Sequence, residues 1–484
     1  MSTLKKQAMY GVKWTSLSTG IKSILQIIQL VILARFLSPE DFGLIAIVMV
    51  VIGFSQLFMD IGISNAIIHK QNITDIQLSS LYWLNILSGL VLTVIVFIIA
   101  PFIAIFYHEE AIIPLLRLLS LSFFINAIGN QYRVLLRKEL KFNILAKVEV
   151  LAGIAAFICS VTLAVQGFGA YSLVFATLVN VTILNTILLI NGLKSHKPRL
   201  VYHYKDIKSF LTFGLYQVGQ NSIVYFNNQF DVVLIGKLLG AEALGIYSLT
   251  KQLVMRPSQI INPIITGVTF PIMAKVQDDL PRLKSIYLKI INYLASINFP
   301  IYILMIILAN SLVPLILGKK WIDAVELFQI LSVYALVRST TSPAGTLLLS
   351  RGRADIGFWW SIGEFSLMPL IIYIGSHWGI VGVSLGLLIF QLIMLLPNWY
   401  FIVKKMCFAT FVEYFSVQVK PLIAALISVI SIYAIINNSL ELSQILKVII
   451  VSGISTSSYF LISLWLNRNF VEEIKSLVVK KVHR

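Results

Sequence analysis

The first apolar segment, GVKWTSLSTGIKSILQIIQLVILARF, covers residues 11–36 and is long enough to cross a membrane as one helix. One helical face of this segment is nevertheless polar. That face consists of Thr15, Ser18, Thr19, Lys22, Gln26 and Gln29. Polar groups are costly against lipid, so we expect this face to contact protein or water.

A second polar stripe follows 202 positions later, which is the separation of Leu37 from Leu239. Its members are Gln217, Gln220, Asn221, Asn228 and Asp231. The turns after the two stripes also match, because ARFLSPEDFGLIA (34–46) aligns with GKLLGAEALGIYS (236–248) at this separation. Chance similarity of apolar segments is the alternative. The coincidence of turn and stripe favours a duplicated helical bundle around a shared hydrophilic cavity.

The composition excludes an ordinary soluble protein. The chain has 484 residues, of which 58% are hydrophobic and 12% are charged, whereas soluble domains carry about 25% charged residues. The net charge of +17 is attributed to the loops of a membrane protein, so no nucleic-acid partner is expected. The two cysteines, Cys159 and Cys407, predict neither a disulfide nor a metal site.

The hydropathy pattern predicts an all-α polytopic membrane protein with about fourteen transmembrane helices. Their approximate limits are 11–36, 43–63, 80–106, 112–136, 144–166, 169–193, 210–237, 242–274, 286–317, 324–350, 354–375, 378–403, 416–436 and 444–466. Alternate loops carry about two dozen basic residues against four in the other set, which places both termini in the cytoplasm. The basic N-terminus precedes a span too polar for a signal peptide, so we expect it to be uncleaved.

The repeat divides the predicted chain into two six-helix lobes around a central cavity, followed by two further helices. Six spans, an even number, separate the copies, so the repeat is parallel. The predicted parts are an N-lobe at 1–193, a cytoplasmic interfacial linker at 194–209, a C-lobe at 210–404, and two helices with a basic tail at 405–484.

Three cations lie deep inside predicted spans, namely Lys22, Arg256 and Arg338. A cavity with surplus positive charge suits an anionic ligand, and both Lys and Arg pair with phosphate oxygens. The alternatives are a buried ion pair or a side chain that extends to the interface. For Arg117 and Lys251, which lie near span ends, the interface is the preferred interpretation.

Fewer acids lie inside spans. Asp231 and Glu364 are candidates for a coupling H⁺ or Na⁺, with pairing to an arginine as the alternative. Glu149 and Lys147, near the start of span 144–166, are expected at the interface. The candidates for contact with sugar hydroxyls are Gln26, Gln29, Asn126, Asn130, Gln220, Asn221 and Asn228. These amides could equally link helices to each other.

Catalytic motifs are absent from the sequence. All six histidines fall in predicted loops or tails, and no Walker lysine loop, HExxH or GxSxG occurs. No catalytic residue and no cofactor is therefore predicted. A membrane-embedded polymerase or ligase stays open as an alternative, although such enzymes usually need a large extracytoplasmic loop. A cation-coupled antiporter is a second alternative, and it predicts a mainly acidic cavity.

Several strings resemble those of one transporter family. They are FLSPEDFGLIAI (36–47), MDIGISNAIIHKQ (59–71), LLRKELKF (135–142), GFGAYSLV (167–174), DVVLIGKLLGAEALGIYSL (231–249), FPIMAKVQDDLPRLKSIY (270–287) and LVPLILGKKW (312–321). They resemble polysaccharide flippases of the Wzx type, in the colanic-acid and teichuronic-acid exporter branch of the multidrug/oligosaccharidyl-lipid/polysaccharide (MOP) superfamily.

The resemblance implies a fourteen-helix fold and outward flipping of undecaprenyl-pyrophosphate-linked oligosaccharide across the bacterial cytoplasmic membrane. The implied partners are the lipid-linked oligosaccharide and the bilayer. Polymerase and chain-length-control proteins of the same pathway are left open as partners. The glycan is not specified by these motifs.

Overall fold

The computed structural model describes residues 2–59, 67, 73–194, 196–201, 204–439, 443–468, 470 and 472. Every regular element among these residues is helical, which confirms the predicted all-α class. Twelve helices of this part of the chain are long and apolar enough to cross a membrane. The chain forms two compact units, Met1–Gly245 and Ile246–Arg484.

The first unit is built from α1 to α6 and the first part of α7. Their limits are α1 (Ser2–Phe36), α2 (Pro39–Met59), α3 (Asp75–Tyr107), α4 (Ile112–Lys138), α5 (Phe142–Val165), α6 (Tyr171–Gly192) and α7 (Tyr204–Lys275). Thr74 caps α3, because its hydroxyl accepts a hydrogen bond from the backbone N of Gln77 at 3.3 Å. Tyr82, Tyr132 and Leu188 belong to an apolar core shared by α3, α4, α5 and α6.

Residues 196–201, within the predicted linker, lie against the start of α3. Trp83 Nε1 donates to the backbone O of Arg199 at 2.8 Å, and the backbone N of Arg199 donates to Ser79 Oγ at 3.0 Å. Helix α7 begins at Tyr204. These contacts fix the chain that connects α6 to α7.

Helix α7 contains a break at Gly240, whose φ of 84° and ψ of 178° are not helical. This backbone conformation is open almost only to glycine. The break separates the predicted spans 210–237 and 242–274, so one long element supplies two of the predicted membrane helices.

The second unit contains the rest of α7 and eight further helices among the described residues. They are α8 (Leu280–Ile307), α9 (Ala309–Ile316), α10 (Ala324–Thr341), α11 (Ala344–Ser350), α12 (Ala354–Ser376), α13 (Gly379–Cys407), α14 (Phe411–Ser439) and α15 (Gln444–Leu466). The predicted span 324–350 corresponds to α10 and α11, which are not among the twelve apolar helices. Counting α10 and both parts of α7 reconciles the twelve helices with the fourteen predicted spans.

Two glycines make reciprocal contacts that match the sequence repeat. A Cβ atom added to Gly43 would lie 1.7 Å from the backbone O of Ala241, and one added to Gly245 would lie 1.7 Å from the backbone O of Pro39. Ala241 and Gly245 follow Pro39 and Gly43 by the same 202 positions. The aligned turns of the two copies therefore contact each other through equivalent residues.

Candidate functional site

Lys22 of α1 forms a salt bridge with Glu149 of α5 inside the first unit. The side chains are 35% and 20% exposed. Glu149 follows Phe142, the first residue of α5, by seven positions, so it lies about 10 Å along that helix. The ion pair considered as an alternative for Lys22 is therefore present, with a carboxylate that the sequence had placed at the interface.

Arg133 of α4 adds a second cation close to this pair. Its Nε atom is buried and has no hydrogen-bond partner among the described residues. The charges that act on its guanidinium include those of Glu149 and Arg137. We call Lys22, Glu149 and Arg133 the Lys22 cluster, because Glu149 pairs with Lys22 and its charge also acts on Arg133.

A groove lies between α1 and α5 beside the Lys22 cluster. Its volume is about 280 Å³, and most of its lining is apolar, including Leu17, Ile21 and Val150. Lys147 lies at the groove, with its Nζ atom 5.7 Å from the centre of the Trp14 ring. The groove therefore combines an apolar wall with a cation beside an aromatic ring.

Two of the predicted sugar-binding amides link helices of the first unit. Gln29 Nε2 of α1 donates to Ser160 Oγ of α5 at 3.0 Å. Asn126 Oδ1 of α4 accepts from Asn185 Nδ2 of α6 at 3.0 Å. Both amides thus connect neighbouring helices, and contact with a glycan stays a prediction for them.

The remaining polar candidates of the first unit differ in exposure. Gln26, Asn221 and Asn228 are exposed, and Asn130 is partly buried. The side chain of Gln220 lies outside the described part of the chain. Asp231 is buried, and its Oδ1 accepts a hydrogen bond from the backbone N of Val232 at 2.9 Å.

In the second unit, Arg338 and Glu364 each have an aromatic partner. Arg338 Nη1 of α10 donates to the Tyr334 hydroxyl at 2.6 Å. Glu364 Oε1 of α12 accepts from Trp360 Nε1 at 2.8 Å. The charges of Arg338 and Glu364 also interact with each other. The structure thus brings together one of the predicted cations and one of the predicted ion-coupling acids.

Arg256 is partly buried on α7, next to Pro257. The following residue, Ser258, donates its backbone N–H to the Tyr302 hydroxyl of α8 at 3.3 Å. One turn later, Asn262 donates to the backbone O of Ser339 at 2.9 Å and accepts from Asn298 at 3.1 Å. A polar network therefore links α7, α8 and α10 beside Arg256.

The sequence did not identify the partners of these side chains. Glu149 lies inside the predicted span 144–166 but was expected at the interface, so its pairing with Lys22 was not predicted. Ser160, Asn185, Tyr334 and Trp360 are polar or amphipathic residues inside predicted spans, but nothing in their spacing assigns them to a partner on another helix.

The fold and the charged side chains within its helices define a polytopic transporter-like membrane protein. Residues 32–326 match the model of a family described as Polysaccharide biosynthesis protein. The chain belongs to this family, and the resemblance inferred from its motifs is confirmed.

Relatives and solved structures agree with this assignment. The chain is 31% identical over 434 residues to the lipopolysaccharide biosynthesis protein WzxC of Escherichia coli (strain K12), with 90% of this chain and 88% of the relative covered. It is 32% identical over 388 residues to the teichuronic acid biosynthesis protein TuaB of Bacillus subtilis (strain 168), with 78% of each covered. Its fold is similar to that of the lipid II flippase MurJ in an inward closed conformation, with a TM-score of 0.75, 15% identity, and 94% and 99% of the two chains covered.

Proposed function

We propose that this protein is a flippase that moves lipid-linked oligosaccharide units across the bacterial cytoplasmic membrane by alternating access, for surface polysaccharide biosynthesis. Membership of the polysaccharide biosynthesis family supports this activity, as do relatives named for lipopolysaccharide and teichuronic acid biosynthesis. A structure of similar fold is named a lipid II flippase. The observation that carries the proposal is the presence of charged side chains, with a surplus of cations, inside apolar helices.

These cations are unfavourable inside a membrane. A Lys or Arg at the centre of a membrane helix costs about 2.5–3.5 kcal/mol on insertion scales. The chain places such cations at Lys22, Arg256 and Arg338, and Glu149 offsets part of this cost at Lys22. A pyrophosphate headgroup offsets the cost, because phosphate oxygens accept charge-assisted hydrogen bonds from ammonium and guanidinium groups. In our proposal these three side chains bind the headgroup, and the exposed amides Gln26, Asn221 and Asn228 bind sugar hydroxyls.

Asp231 and Glu364 are the proposed sites for a coupling cation, either H⁺ or Na⁺. Asp231 is buried and Glu364 is partly buried, and a carboxylate with reduced access to water gains from a proton or a metal cation. The proposed activity makes or breaks no covalent bond. The proposed orientation has both chain termini in the cytoplasm, supported by the basic loops on that side.

Deletion of the gene distinguishes flipping from polymerisation. A flippase defect leaves lipid-linked repeat units on the cytoplasmic leaflet, where they resist reagents confined to the periplasm. A polymerase or ligase defect leaves single units on the periplasmic leaflet, where those reagents modify them. We expect the first result, and mass spectrometry of the accumulated lipid identifies the glycan. Accumulation on the periplasmic side contradicts the proposal.

A further inference from the structure

A carrier of an anionic headgroup must offer cations in the membrane and also keep them stable when no headgroup is bound. In the first unit, the Lys22 cluster contains both the cations and a carboxylate that pairs with one of them. Glu149 contacts Lys22, and its charge also acts on Arg133. A carboxylate oxygen accepts the same charge-assisted hydrogen bonds as a phosphate oxygen. The Glu149 carboxylate therefore makes the kind of interaction with Lys22 that a phosphate oxygen would make.

The neutralisation by Glu149 is incomplete. Its carboxylate pairs with Lys22, whereas Arg133 Nε is buried without a hydrogen-bond partner among the described residues. A buried donor that makes no hydrogen bond has lost its contact with water without gaining another acceptor, which is unfavourable. A pyrophosphate group carries more negative charge and more acceptor oxygens than one carboxylate. It can therefore satisfy Lys22 and Arg133 together, which Glu149 does not.

The position of the cluster fits an amphiphilic anion. Arg133 lies five residues before Lys138, the end of α4, and Glu149 lies seven residues after Phe142, the start of α5. Lys138 ends α4, and the turn that follows carries Lys141, which pairs with Glu139 at 2.7 Å. The apolar α1–α5 groove begins beside the cluster, since Ser18 and Val150 line it. Headgroup charge and lipid chain thus have adjacent complementary surfaces.

We propose that Glu149 is an internal counter-ion that occupies the phosphate position on Lys22 in the empty protein and is displaced by the headgroup of a prenyl pyrophosphate. The first isoprene units of that lipid lie in the α1–α5 groove. This inference rests on the proposed function and adds a residue that competes with the substrate. It differs from a purely structural ion pair in one respect, because loss of the carboxylate strengthens ligand binding.

The test measures ligand affinity of the purified full-length protein by isothermal titration calorimetry, with farnesyl pyrophosphate as the probe. Glu149→Gln is nearly isosteric and removes the competing charge. We expect it to tighten farnesyl pyrophosphate binding by roughly tenfold or more, because a charge-assisted hydrogen bond no longer competes. Lys22→Gln is expected to weaken binding by a similar factor. Unchanged or weaker binding by Glu149→Gln overturns the proposal.

A matched control is the Lys284–Glu413 pair of the second unit, which has an N–O distance of 2.8 Å and similar exposure, 31% and 39%. Glu413→Gln is expected to leave the affinity for farnesyl pyrophosphate unchanged. If Glu149→Gln does not fold, Glu149→Asp keeps the charge but shortens the side chain. It is expected to tighten binding by a smaller factor, and wild-type or weaker affinity in this variant overturns the proposal.

Two further probes separate the headgroup from the chain. Farnesol lacks the charge, so its affinity should not respond to Glu149→Gln. Inorganic pyrophosphate lacks the chain, so it should bind more weakly than farnesyl pyrophosphate, and equal affinity contradicts the groove assignment. Subtracting the fluorescence of Trp14→Phe from that of the wild type isolates the emission of Trp14, which lines the groove. This emission should change when farnesyl pyrophosphate binds. These binding results are independent of the deletion strain, so a failure of the counter-ion proposal is distinguishable from a failure of the flippase proposal.

Discussion

The turn between α1 and α2 and the break inside α7 occupy equivalent places in the two copies of the repeat, but they are built differently. In the first copy, Asp41 accepts hydrogen bonds from the backbone N and the hydroxyl of Ser38, both at 2.8 Å. In the second copy, the position equivalent to Ser38 is Gly240, which adopts a φ of 84°. One turn is fixed by a side-chain cap and the other by the conformational freedom of glycine.

The difference extends to long-range contacts. Asp41 also accepts from the backbone N of Ala170 at 2.9 Å, which ties this turn to the one before α6. The equivalent residue in the second copy is Ala243, whose side chain has no polar atom. In the same way Lys22 corresponds to Val224. The repeat has therefore kept its backbone contact at Gly43 and Gly245, while the charges of Asp41 and Lys22 have no counterpart at the equivalent positions of the second copy.

The largest expected effect comes from the shared contact. Gly43→Ala and Gly245→Ala each place a methyl group against a backbone carbonyl, which no side-chain rotation can relieve. We expect each variant to lose about 3 kcal/mol of stability, because an extra methyl group in a tightly packed site forces the backbone to shift. Thermal unfolding of the detergent-purified protein measures the loss.

Gly20→Ala and Gly153→Ala are the matched controls for this pair, since a Cβ atom at either position meets nothing within 4 Å. These variants should unfold at or slightly above the wild-type temperature, because alanine favours a helix over glycine. If Gly43→Ala unfolds at the same temperature as the controls, the reciprocal contact does not contribute to stability.

A smaller effect is expected at the break in α7. Gly240→Ala forces a side chain into a backbone region used almost only by glycine, at a cost of about 2 kcal/mol. Ser38→Gly in the first copy should cost less, because Ser38 has no positive φ. Unfolding temperatures compare the two variants directly. Equal losses at both positions would show that the two turns are not built differently.

The smallest effect concerns the side-chain cap of the first turn. Asp41→Ala removes the acceptor for Ser38 and Ala170, and we expect a loss of about 1 kcal/mol, which is typical of a lost helix cap. Glu40→Ala is the matched control, because Glu40 is a neighbouring exposed acid in the same helical turn. Chemical unfolding at equal detergent concentration gives the free energy of unfolding of each variant. If Glu40→Ala loses as much stability as Asp41→Ala, the effect comes from the loss of negative charge and not from the hydrogen bonds that Asp41 accepts.

Much of the fold was predictable because it is local. Apolar runs of membrane length fix the helices, and the matched turns at 34–46 and 236–248 revealed the repeat. The close approach of Gly43 to Ala241 was not predictable, since an aligned glycine does not by itself specify a contact. The partner of Lys22 was equally unpredictable from the sequence. Glu149 is 127 residues away in sequence, and only helix packing decides which intramembrane acid meets which cation.

We propose that intramembrane cations bind the anionic headgroup of a lipid-linked oligosaccharide. This claim is tested by glycan export in a deletion strain that carries Lys22→Gln, Arg256→Gln or Arg338→Gln, with membrane insertion measured in parallel. Arg117→Gln is the control, because that guanidinium lies 4.5 Å from the Phe97 ring centre near a helix end. We expect normal insertion in all strains, impaired export in the three variants and wild-type export in the control. Full complementation by all three variants contradicts the claim.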